Sequence, residues 1–161
     1  MNVADKSDKL REAFLICEVH WKRISFARTK VLNFFPLTEN NYKSLAPEDL
    51  SYFDQLIFRF SKFQDNMGNR LFPALLENLG EDTTGIPFID LLNKMEQLKL
   101  LEDHNEWLEL RETRNIVTHE YPFFTPEIIE GLNLLIEQLE VLQKIWKRIE
   151  TFIRSRFDLA I

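Results

Sequence analysis

The chain has 161 residues, enough for one domain with a sizeable hydrophobic core. A net charge of −6 argues against a surface built for broad, non-specific nucleic-acid binding and leaves room only for a local basic patch. Cys17 is the only cysteine, which excludes an intramolecular disulfide and a cysteine-based zinc site, and the scarcity of glycine and of β-branched runs points away from sheets.

The opening stretch, MNVADKSDKLREAF, lacks the apolar core of a signal peptide. No later stretch approaches the ~20 apolar residues of a membrane helix. A cytoplasmic protein without membrane contact is therefore expected.

Five helical segments follow in chain order, without internal repeats or a linker, so residues 1–161 read as one all-α up-down bundle. The first helix is predicted over Val3–Phe34. Leu10, Phe14, Cys17, Trp21, Ile24 and Val31 recur at three- and four-residue steps, with Arg28 as the one break, and Pro36 stops the helix. Residues Leu37–Ala46 read as a polar loop, part of a long Phe34–Pro47 connection whose purpose the pattern does not reveal. Pro47-Glu-Asp opens the second helix, with proline where no N–H is needed and carboxylates at the positive helix end. Leu50, Phe53, Ile57, Phe60, Met67 and Leu71 mark its buried face, and Pro73 should kink or split it before Gly80.

A turn over Glu81–Gly85 leads to a third helix over Pro87–Leu101. The fourth is expected over Asn105–Glu120, closed by Pro122 because the residue before a proline avoids the α region. Thr125-Pro126-Glu127 starts the fifth as an N-cap followed by proline. Its apolar positions Ile128, Leu132, Leu135, Leu139, Leu142, Trp146, Ile149 and Ile153 form an unbroken heptad seam.

The chemistry-bearing stretch is Leu110-Arg-Glu-Thr-Arg114-Asn115-Ile-Val-Thr-His119-Glu-Tyr121-Pro122. Trp107, Leu110, Val117 and Tyr121 form its packing stripe, while Arg111, Asn115 and His119 fall at i, i+4 and i+8 on another face. Arg114 precedes His119 by five residues, about 140° away on a regular helix, so a long arginine side chain or the same helix of a second subunit must close the gap. Imidazole suits proton transfer at cellular pH, and a guanidinium fork holds phosphate and stabilises developing charge. Together they suffice to cleave RNA without metal or cofactor. On residue types alone, an arginine and a histidine near a helix end are more often a capping arrangement.

Other polar residues read as structure. His20 and His104 lack partners at ligand spacing, so no metal site is expected. Asp54, Asp65, Glu77 and Asp82 read as solvated faces or caps. Lys144, Lys147, Arg148, Arg154 and Arg156 read either as dipole-complementing charges or as a local RNA patch, and Lys22, Arg23, Arg28 and Lys30 raise the same question on the first helix.

The pattern Arg114-x4-His119-x-Tyr121, with Asn115 after the arginine and Pro122 after the tyrosine, resembles the signature of HEPN-domain toxins. Its place at the end of a penultimate helix, before a long final one, is similar too. The specific motif covers about eight residues; the architectural likeness covers the whole chain. The resemblance implies a five-helix, HEPN-like bundle that dimerises and sets both motifs in one cleft. It implies an endoribonuclease toxin cleaving RNA, commonly tRNA, without metal. Arg114 and His119 would be catalytic, with Asn115 as the polar follower; Arg111 is added from its place on the helix face as a substrate-binding residue. Tyr121 would be the residue on which a partner MNT-type nucleotidyltransferase antitoxin deposits AMP. The alternative, from a different class, is a non-catalytic substrate-binding subunit of a nucleotidyltransferase.

Overall fold

Heptad spacing along the last helix and three/four spacing along the first place two long apolar stripes in the chain, and burying them against each other and the shorter helices organises the fold. The computed structural model describes residues 3–119 and 126–161, where the regular structure is all helix with no strand. In chain order the helices are α1 (Val3–Val31), α2 (Glu39–Lys43), α3 (Pro47–Asn66), α4 (Phe72–Asn78), α5 (Phe88–Gln97), α6 (His104–Thr118) and α7 (Pro126–Arg156). The all-α bundle expected from the sequence is what is found. None of the described helices is long and apolar enough to cross a membrane.

The α1 stripe buries Leu10, Phe14, Cys17, Ile24 and Val31, with Trp21 and Arg28 at its edge. On α7 the seam from Leu132 to Ile153 is buried, whereas Ile128 is only half-buried and Ile129 takes the interior position at that end. Phe14 and Phe63 stack around Trp146 at centroid distances of 5.4 and 5.6 Å, tying α1, α3 and α7 into one apolar cluster. Asn66 spans α3 and α1 by donating to the Ala13 carbonyl and to Cys17 Sγ. Burial pushes the Cys17 thiol up to about 12, so it stays protonated at neutral pH. At Gly131, α7 crosses α6 so closely that a Cβ there would meet Ile116 Cγ2 at 2.7 Å.

Three boundaries differ from the sequence reading. α1 ends at Val31 and tightens into a 3-10 turn over Leu32–Phe34. α5 ends at Gln97, four residues short, with Lys99 at φ 60 turning the chain towards α6. The stretch read as a polar loop contains α2, because Thr38 and Asn41 form a reciprocal capping box: the Thr38 hydroxyl accepts from Asn41 N–H and the Asn41 amide oxygen accepts from Thr38 N–H. This connection closes one end of the core, with Phe34, Phe35 and Tyr42 around the buried ring of Phe53.

Asn133 on α7 clamps that connection. Its side-chain oxygen accepts from Leu37 N–H at 2.7 Å, and its side-chain N–H donates to the Leu37 carbonyl at 3.1 Å. Leu37 is buried, so truncation strands two backbone polar groups. Asn133→Ala should lower the unfolding free energy by about 1–3 kcal/mol, read as a lower urea midpoint at unchanged slope.

Pro73 acts as expected of a helix-interior proline. Residues Met67–Leu71 form a π-helical turn in which Phe72 N–H reaches back five residues to the Met67 carbonyl, and α4 then restarts with Pro73 in its first turn, where no N–H is required. That wider turn brings Gly68 and Asn69 to face α6.

Candidate active site

α6 lies across α3 and α5 with Trp107, Leu110, Thr113 and Val117 inward. Its N-terminus is fixed by Asp103, whose carboxylate accepts from Asn105 N–H. It is also fixed by Glu96, whose carboxylate takes both the backbone N–H and the ring Nδ1 of His104. His104 thus has carboxylate neighbours, contrary to the spacing argument: Glu96, Asp103 and His104 offer ligand atoms within 4.8 Å of one another. The carboxylates of this trio already cap and staple the α5–α6 junction. These contacts from His104 hold the Glu96 carboxyl below its ordinary value.

Between α6, the end of α3 and the π-turn opens a solvent-facing pocket of about 160 Å³. Arg111, Arg114 and Asn115 line one wall; Gln64, Asp65, Gly68 and Asn69 line the other, with Trp107 and Phe88 as the apolar sides. Three of the residues singled out in the sequence therefore meet in one cavity. Gly68 allows a close approach here: a Cβ on it would stand 3.2 Å from Trp107 Cζ2 and 3.4 Å from Phe88 Cζ, so these rings would have to give by a few tenths of an ångström.

Arg114 is held by Asp65, its Nη2 donating to the carboxylate at 2.8 Å, while Nη1 reaches the Asn115 side-chain oxygen at 3.4 Å. Asp65 is thus no mere solvated face. Both partners are about one-third exposed or more, and pairs of this kind contribute under about 1 kcal/mol, so a phosphate can displace the carboxylate at small cost. The guanidinium of Arg111 lies 4.7 Å from the centroid of the Phe88 ring, which holds it over the pocket rim. Among the described residues, Arg114 Nε and both amide atoms of the buried Gln64 have no hydrogen-bond partner. An unpaired buried polar atom costs about 1–3 kcal/mol, and these atoms are themselves closed off from solvent.

His119 departs from the expected helix face. α6 stops at Thr118, whose hydroxyl donates to the Arg114 carbonyl at 2.7 Å and so competes with the backbone for that acceptor. His119 follows as the C-cap in extended conformation, φ −67 and ψ 133, and is exposed. The i, i+4, i+8 alignment with Arg111 and Asn115 is broken there, and His119 does not line the pocket. Tyr121, Pro122, the predicted helix end at Glu120 and the predicted N-cap Thr125 lie outside the described residues.

Residues of the pocket that the sequence reading did not assign to a site are Gln64, Asp65 and Asn69 on the other wall. Gln64, Asp65 and Gly68 surround the helix irregularity announced by Pro73, the one local sign that this stretch of α3 is special. The basic residues of α7 divide. Lys144, Lys147 and Arg148 line a second groove together with Glu102 and Glu106, and Arg148 reaches the Lys99 carbonyl and lies 3.8 Å from Glu102. Arg154 pairs with Glu18 and covers Phe14. Arg148 and Arg154 are therefore compensated by acids, which favours the dipole-and-packing reading for these two cations. Compared with known proteins, the chain matches no family model, no curated protein and no solved structure.

Proposed function

We propose that this protein is a metal-independent endoribonuclease toxin of the HEPN type. The observation that carries the reading is the meeting of Arg111, Arg114 and Asn115 in one open polar pocket. In this reading Arg114, released from Asp65, and Asn115 hold the phosphoryl oxygens of RNA, and Arg111 adds charge at the rim. A histidine removes the proton of the ribose 2′-OH as that oxygen attacks phosphorus. The 5′-oxygen leaves with a proton supplied by a second acid, giving a 2′,3′-cyclic phosphate and a 5′-hydroxyl. No step needs a metal.

His119 stands outside the pocket of its own subunit, which favours completion of the site by a second copy. In a symmetric dimer His119 of one subunit serves the Arg114 pocket of the other. The test is purified protein on RNA with a chelator present. Cleavage leaving cyclic-phosphate ends, from a species that light scattering shows to be dimeric, supports the reading; cleavage abolished by EDTA and restored by magnesium sinks the metal-free mechanism. The displacement of His119 from the pocket also favours the second reading, a non-catalytic substrate-binding subunit of a nucleotidyltransferase, which binds its ligand and leaves RNA intact.

The toxin reading also assigns a means of control. AMP attached to Tyr121, two residues beyond His119, places a phosphate beside the motif, where it pairs with arginine and repels RNA. Co-expression with a nucleotidyltransferase antitoxin is expected to add one or more AMP units at Tyr121, detectable by mass, and Tyr121→Phe should stay toxic when that partner is active. A Tyr121→Phe protein neutralised as well as the parent, without adduct, counts against it.

A further inference from the structure

The outer seam of α1 and α3 carries cations that rest on aromatic rings. Helices α1 and α3 run antiparallel, as the Asn66–Ala13 and Arg59–His20 contacts show. Along this seam Lys30 Nζ lies 5.5 Å from the Phe26 ring centroid and 5.8 Å from that of Tyr52, and the two rings meet edge to face at 6.1 Å. Further along, Arg59 Cζ and Lys62 Nζ lie 5.3 and 5.7 Å from the Phe58 ring centroid, and an Arg59 Nη1 is 3.2 Å from His20 Nδ1. Phe26 and Phe58 are 50% and 51% exposed, a large apolar area to leave in water. Arg23, on the same outer face of α1, is exposed as well.

No ion pair among the described residues offsets the charge of this seam, whereas Arg148 and Arg154 on α7 are paired with acids. Among the described residues none of Arg23, Lys30, Arg59 and Lys62 forms an ion pair. The positive potential is felt locally: desolvation first, then Arg59 and Lys62, hold the His20 imidazole below its ordinary value. In a chain of net charge −6, a cluster of this kind is a local exception.

Cations interleaved with exposed ring faces are the two components of single-strand recognition: charge tracks the phosphates and aromatic faces stack the bases. A second copy of the chain fits less well, since an isologous contact brings this positive patch against its own counterpart. From this juxtaposition we infer that the α1–α3 seam, through Phe26, Phe58, Lys30, Arg59 and Lys62, is a docking surface for single-stranded RNA. The seam leads along α3 from Phe58 through Lys62 to Asp65 in the pocket, one helical face at steps of four and three residues, so a strand lying on it is delivered to Arg114. The inference deepens the ribonuclease reading and rests on it for the identity of the strand as substrate.

The experiment measures binding apart from cleavage. The probe is a fluorescent 2′-O-methyl oligouridylate of about ten nucleotides, which lacks the free 2′-OH needed for the proposed cleavage. A duplex of the same length serves as comparison. The parent protein should prefer the single strand. Phe26→Ala with Phe58→Ala should weaken binding by about tenfold or more, the scale of losing one or two stacked bases. Arg59→Gln with Lys62→Gln should flatten the log–log salt dependence by about 0.7 for each phosphate no longer neutralised, and these polar replacements keep the test valid should the phenylalanine variant fold poorly. Binding unchanged in both variants overturns the inference. So does a parent that ignores the oligomer while these substitutions disrupt self-association or binding to anionic vesicles. Cleavage of ordinary RNA is scored separately: an intact, substitution-sensitive binder that never cuts RNA defeats the ribonuclease reading alone, and a normal cutter whose binding ignores the seam defeats the seam alone.

Discussion

His119→Ala and Arg114→Ala should each slow RNA cleavage by about 10²-fold or more, the usual scale for losing a proton-transfer group or a stabiliser of developing charge. The two should differ in their structural cost. His119 is exposed at the C-cap, so its loss should leave the fold intact. Arg114 is partly buried and paired with Asp65, so its loss should cost about 1 kcal/mol or less. Mixing the two inactive variants adds a test of geometry. If one subunit supplies Arg114 and the other His119, mixed dimers should regain part of the activity, because one of the two composite sites is then intact. Failure of mixtures to recover while each variant remains dimeric argues that the groups act within one subunit. Asp65→Asn probes the carboxylate: it keeps a hydrogen-bond acceptor for Arg114 and removes the charge that repels phosphate, so KM should fall while kcat stays within a few-fold.

Trp107→Ala should be the most damaging substitution for stability, lowering the unfolding free energy by about 3–5 kcal/mol. Trp107 is 1% exposed, its ring centroid is 4.8 Å from that of Phe72, and it abuts Gly68 in the π-turn. Truncation removes packing between α6 and the α3–α4 junction and opens a cavity that the backbone of a helical turn cannot easily fill. Since small domains hold about 5–15 kcal/mol in all, a third or more of the total can disappear. Urea unfolding followed by circular dichroism measures it. The same ring is a wall of the candidate pocket, so ligand binding should weaken together with stability. A loss below about 1 kcal/mol would show that this wall is not part of the core. Gly68→Ala is the milder companion: its Cβ meets Trp107 at 3.2 Å and Phe88 at 3.4 Å, so these rings must give by a few tenths of an ångström, which narrows the pocket and leaves the core filled.

Much of this molecule follows from local rules. Three/four spacing placed the inward faces of α1 and α7, and only part of that of α3, where Leu56 and Phe63 are fully buried and Leu50 and Ile57 are not, because burying one helix stripe is independent of which partner covers it. Pro47, Pro73 and Pro126 marked helix starts and the break in the second helix because a missing N–H acts within one turn. The short helix α2 was overlooked although Thr38 and Asn41 carry the capping signal, since five residues offer no periodicity to detect. The site was legible only on one wall. Arg111, Arg114 and Asn115 share a helix, so their neighbourhood is fixed by its pitch. Asp65 and Gln64 lie some fifty residues away and reach Arg114 only because α6 crosses α3 at the π-turn, a crossing set by the packing of Trp107 against Gly68 and Phe72. The position of His119 was decided in the same way. Helical extrapolation put it in line with Asn115, but the Thr118 hydroxyl takes the Arg114 carbonyl, the helix ends, and the chain leaves in extended form. Sequence alone determined which residues can carry chemistry, because that depends on their functional groups; tertiary structure decided which of them meet, because that depends on where helices cross and where they stop.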